Sequence, residues 1–187
     1  MPTISLIRHG VSVCDMSSRL TSKQYSKWVK KYDESGVLPF DTLLEGTQEA
    51  MSLSQVVLTS NLKRSIDSAF YLKKDYEFQT HSLFHEVGIP TASNIFFLYM
   101  KPNSWNIFLR ILWLLGYSKD VESYRLAKKR AKLAADYLIG FSHKYNHVAL
   151  VGHGFFNRMI AKQLKKEGWQ SVDSYADGNW GCTTYIK

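Results

Sequence analysis

The sequence predicts an α/β fold, a three-layer α/β/α sandwich with a mostly parallel central sheet. Two observations carry this. Short apolar, partly β-branched runs alternate with longer segments whose apolar residues recur every three or four positions. Strands that alternate with helices pair in parallel through helical crossovers and bury both sheet faces. The composition agrees: of 187 residues, 45% are hydrophobic and 21% charged, which excludes a disordered chain. A chain of this length buries roughly 70% of its unfolded surface, so no disulfide or metal staple is required. One domain over 1–187 is expected, with variable helical or cap segments near 19–40 and 90–117.

The first strand is read at Thr3–Ile7. Tyr25, Trp28, Val29 and Tyr32 then recur at helical spacing, with Gly36 as the stop. Val56–Thr59 is the second strand, and Asn61 to about Lys73 the helix after it. Glu77–Thr80 reads as the third strand. Tyr124, Ala127, Ala131, Ala134, Leu138 and Phe141 mark a long amphipathic helix. Its Lys128, Lys129, Arg130 and Lys132 read as a solvated face. Val148–Val151 is the fourth strand, Phe155–Lys166 a helix closed by Gly168, and Thr183–Ile186 the last strand.

The most apolar stretch is Trp105–Tyr117, well short of the ~20 residues of a membrane span and interrupted by Arg110. No stable membrane insertion is expected. The segment reads as a helix over or beside a crevice, or as an oligomer contact; the oligomeric state stays open. The start lacks the basic region of a signal peptide, and Cys14 and Cys182 read as reduced thiols, so a cytoplasmic setting is expected. Lys and Arg number 24 against 16 Asp and Glu, a net +8 that attracts anions. No nucleic-acid-binding motif is present, and no nucleic-acid partner is expected.

Ligands of open α/β sheets bind beyond the carboxyl ends of the strands. Two strand ends are therefore informative, Ile7-Arg8-His9-Gly10 and Val151-Gly152-His153-Gly154. Each sets a histidine beside glycine, which lets a ligand approach the backbone. One such histidine is more often structural; two in one parallel sheet converge on a single crevice. A third end, Thr59-Ser60-Asn61-Leu62-Lys63-Arg64, brings a helix start that Ser60 or Asn61 can cap. Arg64, one turn in, either points back to the crevice or is a solvated surface residue. Glu86, among apolar neighbours, is either an exposed loop carboxylate or a partly buried one whose raised pKa suits a general acid.

These residues, in this order, resemble the histidine phosphatase superfamily, which includes phosphoglycerate mutases and small phosphatases. The carriers are Arg8-His9-Gly10, Ser60-Asn61-Leu62-Lys63-Arg64, Glu86 and Gly152-His153-Gly154, with a looser match over Leu44–Ala50. The resemblance implies a phosphoglycerate mutase-like fold and catalysis by His9, Glu86, Arg8, Arg64 and His153. It implies His9 as a nucleophile that becomes phosphohistidine, with its other ring nitrogen donating to a backbone carbonyl. Arg8, Arg64 and His153, the last charged or proton-donating, would bind phosphate, and Ser12 would help. Glu86 would protonate the leaving oxygen. No metal and no cofactor are implied. Asp15 departs from the pattern: the family places an asparagine there, and a carboxylate repels phosphate unless protonated, paired or turned away.

The expected activity is a metal-independent phosphomonoester hydrolase acting on a phosphorylated small molecule or a phosphoprotein. The alternatives are a phosphoglycerate mutase-type phosphotransferase and a non-catalytic phosphate-binding or interaction module. The short chain and the departure of Arg19–Phe40 from the substrate loop of the glycolytic mutases favour the hydrolase. Lys101 and Arg110 are possible secondary contacts to an anionic substrate.

Overall fold

The computed structural model describes residues 1–39, 45–74, 76–92, 97–175 and 178–187, with 173–175 by backbone alone. In chain order the elements are β1 (Thr3–Arg8), α1 (Ser22–Glu34), α2 (Glu45–Leu53), β2 (Val56–Thr59) and α3 (Lys63–Leu72). There follow β3 (Gln79–Thr80), a 3-10 turn (Ser82–Phe84), α4 (Pro102–Leu114), α5 (Tyr124–Tyr145), β4 (His147–Gly152), α6 (Gly154–Lys166), β5 (Gln170–Tyr175) and β6 (Cys182–Ile186).

The six strands form one sheet in the order β3-β2-β4-β1-β6-β5. β3, β2, β4 and β1 run parallel; β6 pairs antiparallel with β1 and with β5. Side chains alternate across the sheet with a period of two. Ile4, Leu6, Val56, Leu58, Val148 and Leu150 meet α5 and α6 on one face through Ala131, Leu138, Phe156 and Ile160. Ile7, Val57, Ala149 and Val151 meet Met51 of α2 and Ala69 of α3 on the other. The expected three layers and mostly parallel sheet are present.

α1 and α4 build a third core at the carboxyl end of the sheet. Tyr25 of α1 packs with Ala92 and with Trp105 and Leu109 of α4. The Tyr25 hydroxyl donates to Asn106 Oδ1 at 2.5 Å, and Trp105 Nε1 donates to the Leu20 carbonyl at 2.8 Å. Trp105, Leu109 and Trp113 recur every four residues and are fully buried, so the apolar stretch is a helix anchored by one face.

Several expectations change. α1 ends at Glu34, where Ser35 caps it by donating its N–H to the Tyr32 carbonyl and its hydroxyl to the Lys31 carbonyl. Gly36 is therefore not the left-handed stop; it is small because the Asp67 carboxylate stands where a Cβ would be. Gly168 does close α6, at φ +87°. The cap of α3 is Leu62, without a side-chain bond. β5 went unread because Gln-Ser-Val-Asp-Ser-Tyr is a mostly polar edge strand with a register shift between Ser171 and Asp173. α2 also went unread. Leu44, the start of the looser resemblance, and Phe40, the end of the first variable segment, lie outside the described residues. Both cysteines are buried. No described helix is long and apolar enough to cross a membrane.

Candidate active site

β1 and β4 are parallel neighbours with Arg8 opposite Gly152, so His9 and His153 emerge side by side one residue later. The His9 N–H donates to the Gly152 carbonyl at 3.0 Å. The imidazole centroids lie 5.2 Å apart with the rings 60° to each other. His9 Nδ1 lies 2.8 Å from the Gly10 carbonyl. A carbonyl only accepts, so the proton of this bond sits on Nδ1 and the Nε2 lone pair is left for chemistry. Burial first, then Arg64 and to a lesser degree Arg8, lower the His9 pKa to about 3 against the opposing effect of the Gly10 bond, so the ring is neutral at ordinary pH.

The turn after His9 is held from three directions. The Gly10 N–H donates to Ser68 Oγ of α3 at 2.9 Å. Asn179 Nδ2 donates to the carbonyls of His9 at 3.0 Å and Gly10 at 2.9 Å. The Trp180 indole fills the place where a Cβ on Gly10 would stand, and Thr47 Oγ1 of α2 donates to the Trp180 carbonyl at 2.7 Å. Gly10 thus serves close packing beneath the histidine as well as approach from above.

The cations gather around the same point. Arg8 lies along the start of α6: a Cβ on Gly154 would stand 3.1 Å from its Nε. Arg64 of α3 is 2% exposed, so it is the inward arginine of the two alternatives. Its Nη1 donates to the Tyr32 carbonyl and to Asp33 Oδ1, each at 3.2 Å, and its guanidinium sits 4.4 Å over the Tyr32 ring. Arg64 Nε and His153 Nδ1 are buried without a hydrogen-bond partner among the described residues. His153 Nε2 lies 2.6 Å from Ser60 Oγ, which also accepts from the Leu62 N–H at 3.2 Å. Ser60 thus orients the second histidine rather than capping α3. Asn61, the other expected cap, pairs its Oδ1 with His85 Nδ1 at 2.9 Å. Burial first, then Arg64, His9, His85 and Arg8, hold His153 well below its ordinary pKa. The resting ring is neutral.

Glu86 is half-buried at the amino end of α6, where backbone N–H groups and the helix dipole favour an anion. Oε1 accepts from the Val87 N–H at 2.9 Å and the Phe156 N–H at 3.0 Å, and Oε2 from the Phe155 N–H at 3.3 Å. Two arginines brace the segment that carries it. Arg110 donates to the carbonyls of Val87 at 2.9 Å and Gly88 at 3.2 Å. Arg130 donates to those of Leu83 at 2.9 Å and His85 at 2.7 Å, pairs with Glu122, and stacks 3.8 Å over Phe156. Arg130 is thus a structural clamp, not part of a solvated face; Lys128, Lys129 and Lys132 remain exposed.

Arg8, His9, Arg64, His85, Glu86 and Gly154 line one end of a cleft of about 510 Å³. α1 contributes Trp28, Val29, Tyr32 and Asp33 to its walls, and α4 contributes Asn106, Ile107, Arg110 and Ile111. The apolar helix is therefore a wall of the cleft. Ser12, Lys101 and the fully buried His153 do not line it, His153 lying against His9. The Ser12 hydroxyl accepts from the Cys14 N–H at 3.3 Å, and Lys101 is the exposed cap residue of α4. Asp15 is also turned away: its Oδ1 accepts from the Ser17 N–H at 2.8 Å and hydroxyl at 2.6 Å. Bonds from the Ser17 hydroxyl first, then the Ser18 hydroxyl, hold the Asp15 carboxyl well below the usual range. Sequence reasoning missed Asp33, His85 and Asn179. Helical spacing after Tyr25 was the signal for the first, since Asp33 lies two turns on; Asn179 had none. Among the described residues no group of three or more His, Cys, Asp or Glu is placed to hold a metal ion.

Paired histidines at adjacent strand ends of a three-layer α/β sandwich, flanked by the buried Arg64 and the half-buried Arg8, make a cationic pocket at the carboxyl end of the sheet. The profile of the histidine phosphatase superfamily (branch 1) matches residues 4–185, and the chain belongs to that superfamily. Membership supports a phosphatase- or mutase-type activity. Solved structures share the fold at low identity. Phosphoserine phosphatase from Entamoeba histolytica, in complex with 3-phosphoglyceric acid, superposes with a TM-score of 0.58 at 18% identity, covering 100% of this chain and 91% of the other. Mycobacterial glucosyl-3-phosphoglycerate phosphatase gives 0.59 at 14%, covering 98% and 89%. Phosphoglycerate mutase from Bacillus anthracis gives 0.56 at 17%, covering 89% and 81%. No curated protein matches the sequence.

Proposed function

We propose that the protein is a metal-independent phosphomonoester hydrolase working through a phosphohistidine on His9. The observation that carries this is the His9 ring, neutral, with Nδ1 committed to the Gly10 carbonyl beside the buried Arg64 and the half-buried Arg8. Phosphoryl transfer is mainly positioning and charge stabilisation, and guanidinium forks match phosphate oxygens. Arg8, Arg64 and His153 Nδ1 take the phosphate oxygens, with Arg64 exchanging its bond to Asp33 for the dianion. His9 Nε2 attacks phosphorus as the bond to the leaving oxygen breaks, and Glu86, which takes up a proton as the dianionic substrate enters, delivers it to that oxygen. Water then attacks the phosphohistidine while Glu86 takes a proton from it. Inorganic phosphate leaves and the free ring returns.

Hydrolysis of p-nitrophenyl phosphate in EDTA, lost in His9→Ala, is the expected result, with acid-labile ³²P on the wild-type chain during turnover. Absence of turnover over a broad panel of phosphomonoesters would sink the hydrolase. Isomerisation of 3-phosphoglycerate after addition of a bisphosphorylated primer would place the protein with the mutases.

A further inference from the structure

We infer that the substrate is an amphiphilic phosphomonoester, whose phosphate enters the cationic end of the cleft and whose alcohol is an extended apolar group laid along α4. The inference rests on the hydrolase reading and names its substrate class. The cleft is strongly two-sided. Arg8, His9 and Arg64 line it at the strand ends; Trp28, Val29, Ile89, Ile107, Ile111 and Phe155 give it an apolar wall, to which Asn106 and the exposed Arg158 add polar groups. α4 holds a single charged residue, Arg110, and that guanidinium is spent on the Val87 and Gly88 carbonyls.

The buried face of α4 accounts for Trp105, Leu109 and Trp113, but the helix has a second apolar face. Ile107 is 64% exposed, Ile111 52% and Leu114 48%, at i, i+4 and i+7, so they form one ridge. Leu115 continues it at 80% exposure. From Ile107 to Leu114 the ridge runs about 10 Å along the helix axis. Large apolar residues in a row facing water mark a binding surface. Its occupant follows from continuity: Ile107 and Ile111 belong to the ridge and also line the cleft that ends at His9. A molecule that places phosphate at the arginines and continues outward meets this ridge first. A small, highly charged ester such as a phosphorylated sugar acid leaves the apolar ridge in water.

The test is phosphate release from a series of n-alkyl phosphates, ethyl to decyl, each below its micelle-forming concentration. All are esters of primary alcohols, so leaving-group basicity stays nearly constant and only apolar burial changes. kcat/KM is expected to rise by up to about fourfold per methylene until the ridge is covered, then level off. Ile111→Gln should flatten that rise, and Leu114→Gln should flatten it only for the longer chains. Both positions are half exposed, and circular dichroism checks that the variants fold. Hydrolysis of p-nitrophenyl phosphate together with one kcat/KM for every alkyl ester overturns the inference and leaves the hydrolase standing. No release from any ester, p-nitrophenyl phosphate included, overturns both. A flat series together with self-association abolished by Ile111→Gln gives the ridge to a second copy of the chain and overturns the inference.

Discussion

The Gly10 carbonyl accepts from two side chains at once, His9 Nδ1 at 2.8 Å and Asn179 Nδ2 at 2.9 Å. Asn179 touches no reacting atom; it fixes the acceptor that fixes the ring. Asn179→Ala is expected to lower kcat roughly 10–100-fold, since small misplacements of a reacting group are costly, while KM changes little. Steady-state kinetics on p-nitrophenyl phosphate check the split, and a change confined to KM refutes the positioning role. The pairing of His9 with His153 was legible from the strand ends, whereas Arg64 and Glu86 were left open by their local sequence and singled out by the family resemblance. Asn179, 169 residues from Gly10, was not, because only the pairing of β1 with β6 brings it there. Asp15 shows the converse: its identity stood out, but its turn with Ser17 takes it away from the cleft.

At the scale of elements, the segment bearing Glu86 has little regular structure of its own and borrows rigidity from three helices. α4 supplies Arg110, α5 supplies Arg130, and α6 supplies the N–H groups that hold the carboxylate. Arg130→Met keeps much of the stacking on Phe156 but removes the bonds to Leu83, His85 and Glu122. It is expected to destabilise by about 1–3 kcal/mol and to reduce kcat as Glu86 loosens. Urea denaturation midpoints and phosphate release check the two effects; an unchanged kcat would show that the clamp serves stability alone. In the sequence Arg130 sat within a run of lysines and read as solvated. Nothing in a helical period tells an outward cation from one that reaches a neighbouring loop. The strands were legible where both faces are buried, and β5 was not, because an edge strand with polar residues lacks that signature.

For the whole molecule, two neutral imidazoles at the heart of the site tie stability to acidity. The His9 pKa falls from 6.5 in the free side chain to about 3 in the fold, and His153 is also lowered. Between those values the unfolded chain binds protons that the folded chain refuses. Stability from these groups is therefore full above about pH 6.5 and is lost as the pH falls towards 3. The thermal midpoint is expected to drop through that window, and less steeply in His9→Gln; calorimetry over a pH series checks the slope. Equal slopes in the two proteins would remove His9 as the cause.

The return of β6 beside β1 has a consequence for how the protein acquires its activity. The two histidines meet once β1 and β4 pair, but Asn179 and Trp180 reach Gly10 only when the antiparallel edge is added. With β1 and β4 paired, the segment from Gly152 to Cys182 still has to fold back and lay β6 against β1. A chain caught midway in folding would own a nearly complete sheet and an unset nucleophile. Competence for chemistry would then trail the appearance of secondary structure, with the end of the chain acting as the last latch on its beginning.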